Sequence, residues 1–223
     1  MTKKKLYVWA CDYSDSTGEG KLARLFIKKL FFKKKFKIIL NKQKNFHKYL
    51  SPLIGIFFCW IKFKKKQNVC YLNYLPFWNF LIFMLLPPKT ILGPITGGAN
   101  YTKRRNINFI IRDKLFPVFY KISEFFLTKR NIEIVFSTDL LKKFLLQNLI
   151  KKAKFNFILK SYTKRKTLRK DIDFLIYYRK HNNKIDLFKY DIIKKLLSFN
   201  VKINIVGDKL NFKGVKNHGF KNN

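Results

Sequence analysis

Acidic residues are scarce: 12 Asp and Glu stand against 49 Lys and Arg among 223 residues, which leaves a formal net charge of +37. Such a field ordinarily draws polyanions, either nucleic acid or an anionic membrane, without any specific site. Ala, Gly and Arg are also in short supply, while Lys, Phe, Asn and Ile fill almost every segment, the pattern that AT-rich codons leave. The charge is therefore spread rather than focused. A nucleic-acid binder needs a basic stripe with aromatics between the cations, whereas the Tyr and Phe residues here fall on apolar faces, so no specific nucleic-acid partner is expected. What survives is a basic exterior suited to peripheral contact with anionic lipid, where lysines attract and aromatics insert. The segment Lys28–Lys37, with Phe31, Phe32 and Phe36, is the candidate for that contact.

Cysteine is nearly absent. Cys11, Cys59 and Cys70 form no C-x-x-C pair, and an odd number in a chain without an export signal is expected to remain as reduced thiols in a cytoplasm. His47, His181 and His218 are isolated from one another and from the cysteines, so no metal site and no resident cofactor is expected. Long hydrophobic runs are missing as well. Leu53–Ile61 and Leu75–Leu86 fall short of the about 18 to 20 residues that span a bilayer, and Pro87-Pro88 closes the second. They read as buried helices or helices dipping into a membrane interface. At the start, Met1-Thr-Lys-Lys-Lys5 followed by Leu6–Cys11 imitates a signal peptide, but the run is short, Asp12 ends it and no small-residue cleavage site follows. A first buried strand explains it better.

What is present is apolar. Hydrophobic residues make up 48% and aromatics 17% of the chain, which excludes the disordered class. The length accommodates one large domain, or one domain and part of another. Short β-rich runs alternate with helical periodicity, as in parallel βα units. Strands are expected at Leu6–Cys11, Lys37–Leu40, Val69–Asn73, Thr90–Gly93, Ile132–Phe136 and Phe155–Leu159. Helices are expected at Gly20–Phe32, Ser51–Lys64, Phe77–Leu86, Ile107–Thr128 and Leu140–Leu149. Pro117 should kink or break the fourth helix, and Ser137-Thr138-Asp139 should cap the fifth. The densely basic run Lys160–Lys170 lacks apolar periodicity and reads as a connector. Beyond it, a strand at Asp173–Tyr178, a helix at Ile185–Phe199 with Ile185, Phe188, Ile192 and Leu196 on one face, and strands at Val201–Val206 and Val215–Phe220 open a new unit.

Ligands of open parallel sheets bind beyond the carboxyl ends of the strands, so the loops there carry the functional reading. The first is Asp12-Tyr-Ser-Asp-Ser-Thr-Gly18-Glu-Gly20, whose glycines admit close approach and whose following helix offers its N-terminus; a plain turn would have the same composition. Gly93–Ala99 packs three glycines and a proline into one loop, a density that suits close approach to a ligand as well as a tight turn. Arg179-Lys-His-Asn-Asn-Lys184 places a guanidinium and an ammonium at either end of a strand-to-helix loop, a clamp for a diphosphate, in a chain where surface lysine is the ordinary case.

Taken in order, these loops resemble those of the GT-B glycosyltransferases of the family-4 type. Thr17-Gly-Glu-Gly-Lys-Leu-Ala23 resembles the first-domain glycine loop and helix, and Leu92-Gly-Pro-Ile-Thr-Gly-Gly98 resembles a G-P-x-x-G-G loop. Tyr177-Tyr-Arg-Lys-His-Asn-Asn-Lys184 resembles the G-R-x-x-x-x-K segment that opens the second domain, with Tyr178 where the family has Gly, and Val201-Lys-Ile-Asn-Ile-Val-Gly207 resembles the strand after it. The resemblance implies an α/β, GT-B-like fold: an N-terminal, acceptor-side Rossmann-like parallel-sheet domain over 1–159, a basic linker over 160–170, and an incomplete second Rossmann-like unit over 171–223. It implies transfer of a sugar from a nucleotide-diphosphate donor to an envelope glycolipid or polysaccharide. Arg179 and Lys184 would hold the donor diphosphate, Gly18 and Gly20 would lie beneath the donor sugar or phosphate, and Gly97 and Gly98 would line the acceptor cleft. The family's acidic donor-gripping segment would lie beyond Asn223, so the chain resembles a truncated or split enzyme, with a non-catalytic remnant or membrane- or partner-binding module as the alternative.

Overall fold

The computed structural model describes residues 4–29, 36–42, 50–97, 107–157, 174–178 and 190–219. The chain divides into two compact units, one of Met1–Ala99 with Ile110–Thr163 and the other of Asn100–Phe109 with Lys164–Asn223. The connector expected at Lys160–Lys170 lies outside the described residues.

In the first unit, strands β1 (Lys4–Ala10), β2 (Phe36–Lys42), β3 (Asn68–Tyr71) and β4 (Ile91–Leu92) form a parallel sheet in the order β2-β1-β3-β4. A parallel bridge between Ile95 and Phe136 carries the ladder on to β5 (Ile134–Val135), which pairs with β6 (Ala153–Lys154). Both faces of this sheet are covered, and the alternation along β1 shows how. Leu6, Val8 and Ala10 join Ala23 and Phe26 of helix α1 (Gly18–Lys29) in one cluster. Trp9 and Cys11 point the other way, into a cluster with helices α2 (Ser51–Lys64), α3 (Phe80–Leu85) and α4 (Ile107–Thr128). Right-handed crossovers require this: the chain moves from β1 outward to β2, then reverses past β1 to β3 and continues in that direction, so α1 lies on one face and the later helices on the other. The architecture is α/β with parallel strands.

Helix α2 has the expected bounds, with Pro52 in its first turn. Helix α4 also has its expected bounds, but it runs unbroken through Pro117. Aromatic contacts hold the turns on either side: Phe116 stacks on Trp78 at 5.4 Å and Tyr120 on Phe77 at 5.1 Å, and the Ser123 hydroxyl donates to the Phe77 carbonyl. Tertiary packing there outweighs the local cost of proline. The single helix expected at Leu140–Leu149 is instead a 3-10 turn, Lys142–Phe144, and a short helix α5, Gln147–Lys152. No side chain caps either one; the Asp139 carboxylate accepts from Asn156 instead, and Glu124 of α4 accepts the Leu146 amide between the two pieces. The strand expected at Phe155–Leu159 is Ala153–Lys154, followed by Phe155, whose ring stacks on Phe136 at 5.1 Å.

The second unit holds β7 (Phe174–Tyr178), helix α6 (Tyr190–Ser198), β8 (Ile203–Gly207) and β9 (Val215–Asn217), with the strands parallel in the order β7-β8-β9. Tyr178, Ile193, Ile203, Ile205 and Leu210 form its core. Ile192, expected on the apolar face of α6, is 52% exposed, and Ile193 is buried in its place. Partly buried Tyr190, Leu196 and Leu197 pack around it, so Leu196 keeps its expected place, while Ile185 and Phe188 lie outside the described residues.

Candidate functional site

The chain reverses direction across the sheet between β1 and β3, and the carboxyl ends of strands at such a point frame a crevice. β1 delivers Cys11 and Asp12 to that edge, and β3 delivers Leu72, Asn73 and Tyr74. Asn73, buried to 1% exposure, ties the two loops together. Its side-chain oxygen accepts the amides of Cys11 at 2.9 Å and Asp12 at 3.4 Å. Its amide nitrogen donates to the carbonyls of Asp12 at 2.6 Å and Glu19 at 3.4 Å. In the sequence Asn73 is only the polar residue that closes an apolar strand.

The loop after β1 is ordered by its own side chains. The Asp12 carboxylate accepts the Ser14 amide at 2.9 Å and the Thr17 hydroxyl. Thr17 is the N-cap of α1, its hydroxyl oxygen accepting the Gly20 amide at 3.0 Å. Arg24 donates from Nε to the Tyr13 carbonyl at 2.9 Å, lies over the Tyr13 ring and pairs with Asp15. Burial alone would raise the Asp12 carboxyl, but the hydrogen bonds from Thr17 and Ser14 outweigh it and hold the carboxyl below its usual range. Glu19 goes the other way. Burial raises it, the Asp12 charge adds to the rise, and the Tyr74 amide, donating at 3.3 Å, only partly offsets them. Tyr74 itself has a φ of 57°, a left-handed backbone that a bulky residue seldom adopts. The strain lies where its amide meets Glu19.

The expected site glycines divide by what surrounds them. Gly18 opens α1 exposed, with nothing within 4 Å of the position a Cβ would take. Gly20 faces its own loop, with the Ser14 carbonyl oxygen 2.2 Å from that position. At Gly97 a Cβ would stand 2.4 Å from the Leu141 side chain. Arg179, Lys184 and Gly98 lie outside the described residues. The structure thus places Gly18 and Gly20 in the loop after β1 that holds Asp12 and Glu19 and that Asn73 and Tyr74 bind to the end of β3.

The three cysteines are buried free thiols. Cys11 sits at the base of the crevice, its sulfur 3.3 Å from the Tyr71 hydroxyl. Burial pushes the Cys11 and Tyr71 groups up and takes Cys59 to about 12, so none is a thiolate nucleophile at neutral pH. Among the described residues no group of three or more His, Cys, Asp or Glu is gathered to hold a metal ion. The chemistry on offer is hydrogen bonding, by two carboxylates of opposite pKa tendency and a helix N-terminus. Compared with family models, with curated proteins and with solved structures, the chain matches none.

Removing the cap tests how the crevice is held. Thr17→Ala is expected to cost about 1 kcal/mol, read as an earlier urea midpoint with unchanged slope. An unshifted midpoint would mean that the Asp12–Thr17–Gly20 chain does not hold the loop.

Proposed function

We propose that the chain is a GT-B-type glycosyltransferase of the cytoplasm, moving a sugar from a nucleotide-diphosphate donor to an envelope glycolipid or polysaccharide hydroxyl. The observation that carries the reading is the polar cluster at the carboxyl ends of β1 and β3, where Asn73 and Tyr74 tie down the loop that holds Asp12, exposed Gly18 and Glu19. Parallel strands in two separate α/β units of one chain agree with it.

The electrostatics divide the ligand. Carboxylates repel phosphate and accept hydrogen bonds from hydroxyl groups, so the crevice suits the sugar or acceptor hydroxyls better than the diphosphate. The diphosphate is assigned to Arg179 and Lys184, which supply a fork and a point charge. Transfer with retention of configuration depends on stabilising the departing diphosphate and an oxocarbenium-like centre, work for cations and backbone amides.

Titration with a nucleoside diphosphate tests the assignment. Arg179→Ala and Lys184→Ala should each weaken binding by about 1.5 to 3 kcal/mol. Gly18→Ala should leave stability unchanged while blocking a nucleotide sugar more than the bare diphosphate. If both cation variants bind like the parent, the loop is a solvated basic turn and the donor site is elsewhere.

A further inference from the structure

Large apolar side chains remain uncovered along α2 and α3. On α2 they are Leu53, Phe57, Trp60 and Ile61, at the spacing i, i+4, i+7, i+8 that lines one face of a helix. Ile56 and Cys59, on the other side of the helix, are buried in the core. Phe57 is 69% exposed. On α3, Leu81, Met84 and Leu85 are exposed, again on one face, opposite buried Ile82 and Phe83. The Trp60 indole nitrogen donates to the Leu85 carbonyl at 2.7 Å, so the two faces are neighbours. Exposed Trp78, stacked on Phe116, extends the surface towards α4.

We infer that this face of α2 and α3 docks on an anionic lipid bilayer. Charge argues for that occupant. From Glu19 to Asp113 the sequence contains no Asp or Glu between them, so every formal charge on these two helices and their flanks is positive. Lys64, Lys65 and Lys66 at the end of α2 and Lys89 just beyond α3 are exposed, a basic rim around an apolar centre. A second copy of the chain would bring like charges together, and lysine is depleted at protein interfaces but favoured beside anionic lipid. Tryptophan, apolar with one polar handle, belongs at the headgroup boundary. Among the described residues no helix is long and apolar enough to cross a membrane, so the surface lies on the bilayer. In the segment Lys28–Lys37, expected to make such a contact, Phe36 belongs to β2 and packs against the core, and Phe31 and Phe32 lie outside the described residues. The inference does not depend on the transferase reading.

Flotation of the full chain with vesicles tests it. Binding to phosphatidylglycerol-containing vesicles should exceed binding to pure phosphatidylcholine by about tenfold or more and weaken with salt. The double substitution F57Q/M84Q, at exposed positions, should retain the parent's melting temperature and lose about tenfold in binding to the anionic vesicles. Phe199→Gln, an equally exposed aromatic in the second unit, should bind like the parent. Brominated lipid should quench the parent's tryptophan fluorescence, and Trp60→Phe should remove much of that quenching. Equal flotation with both vesicle types, parent-like binding by F57Q/M84Q, or equal loss in Phe199→Gln would overturn the inference. So would a dimer or a complex with an acidic protein that F57Q/M84Q dissolves in the absence of vesicles.

Discussion

Arg130→Leu is expected to destabilise the first unit by about 3 to 5 kcal/mol. Arg130 is 5% exposed and donates to three backbone carbonyls at the end of α3, those of Phe83, Leu86 and Pro87. A helix leaves its last carbonyls without partners, and a cation is the favourable charge at that end. Burial lowers the guanidinium to about 10, still cationic at neutral pH. Leucine would fill much of the space and leave three carbonyls in the core without their donor. Arg130→Lys tests geometry separately from charge, because an ammonium lacks the planar fork that reaches three acceptors; it should fall between the parent and leucine. All three tryptophans, Trp9, Trp60 and Trp78, belong to the first unit, so urea unfolding followed by their fluorescence reports that unit alone. A midpoint unchanged in Arg130→Leu would show that water replaces the guanidinium at no cost.

Gly93→Ala should cost about 3 kcal/mol and loosen the crevice as well. A Cβ at Gly93 would stand 1.7 Å from the Leu72 carbonyl oxygen, a contact with backbone that no rotamer relieves. The Gly93 amide donates to the Tyr71 carbonyl at 2.7 Å, so β3 and β4 cannot part to make room without losing that bond. Since Leu72 precedes Asn73, the shift would reach the clamp on Cys11 and Asp12. Amide hydrogen exchange at Cys11 and Asp12 should therefore quicken in Gly93→Ala and not in Gly18→Ala, whose added methyl meets nothing within 4 Å. Parent-like exchange in both would uncouple the β4 loop from the crevice.

Local chemistry made much of the fold readable. Pro52 opens α2, the apolar rhythm of Ile107–Thr128 sets the bounds of α4, and β1 ends at Ala10, one residue short of the expected Cys11. Long-range contacts were not readable. Nothing near Asn73 announces that its partners are Cys11 and Asp12, 62 and 61 positions away. Arg130, one cation among 49, looks like surface until the fold closes around it. In the glycine loop Gly93–Ala99, a Cβ at Gly93 would meet the Leu72 backbone and one at Gly97 the Leu141 side chain, neighbours that the loop's composition does not name. The uncovered face of α2 was hidden for another reason: the run Leu53–Ile61 is apolar all round, so periodicity could not say which side the core would take.

The position of β1 at the centre of the sheet also sets an order of events. β1 takes one neighbour from β2 and the other from β3, and the second comes from a segment 62 positions later than Leu6's end of the ladder, the same distance that separates Cys11 from Asn73. A growing chain that has released β1 and β2 holds an apolar strand with one open edge, the kind of edge that recruits strands from other chains. Closing it requires β3, which is synthesised only after α2. Until β3 arrives, the amides of Cys11 and Asp12 lack Asn73, so the polar site and the protected edge depend on the same strand.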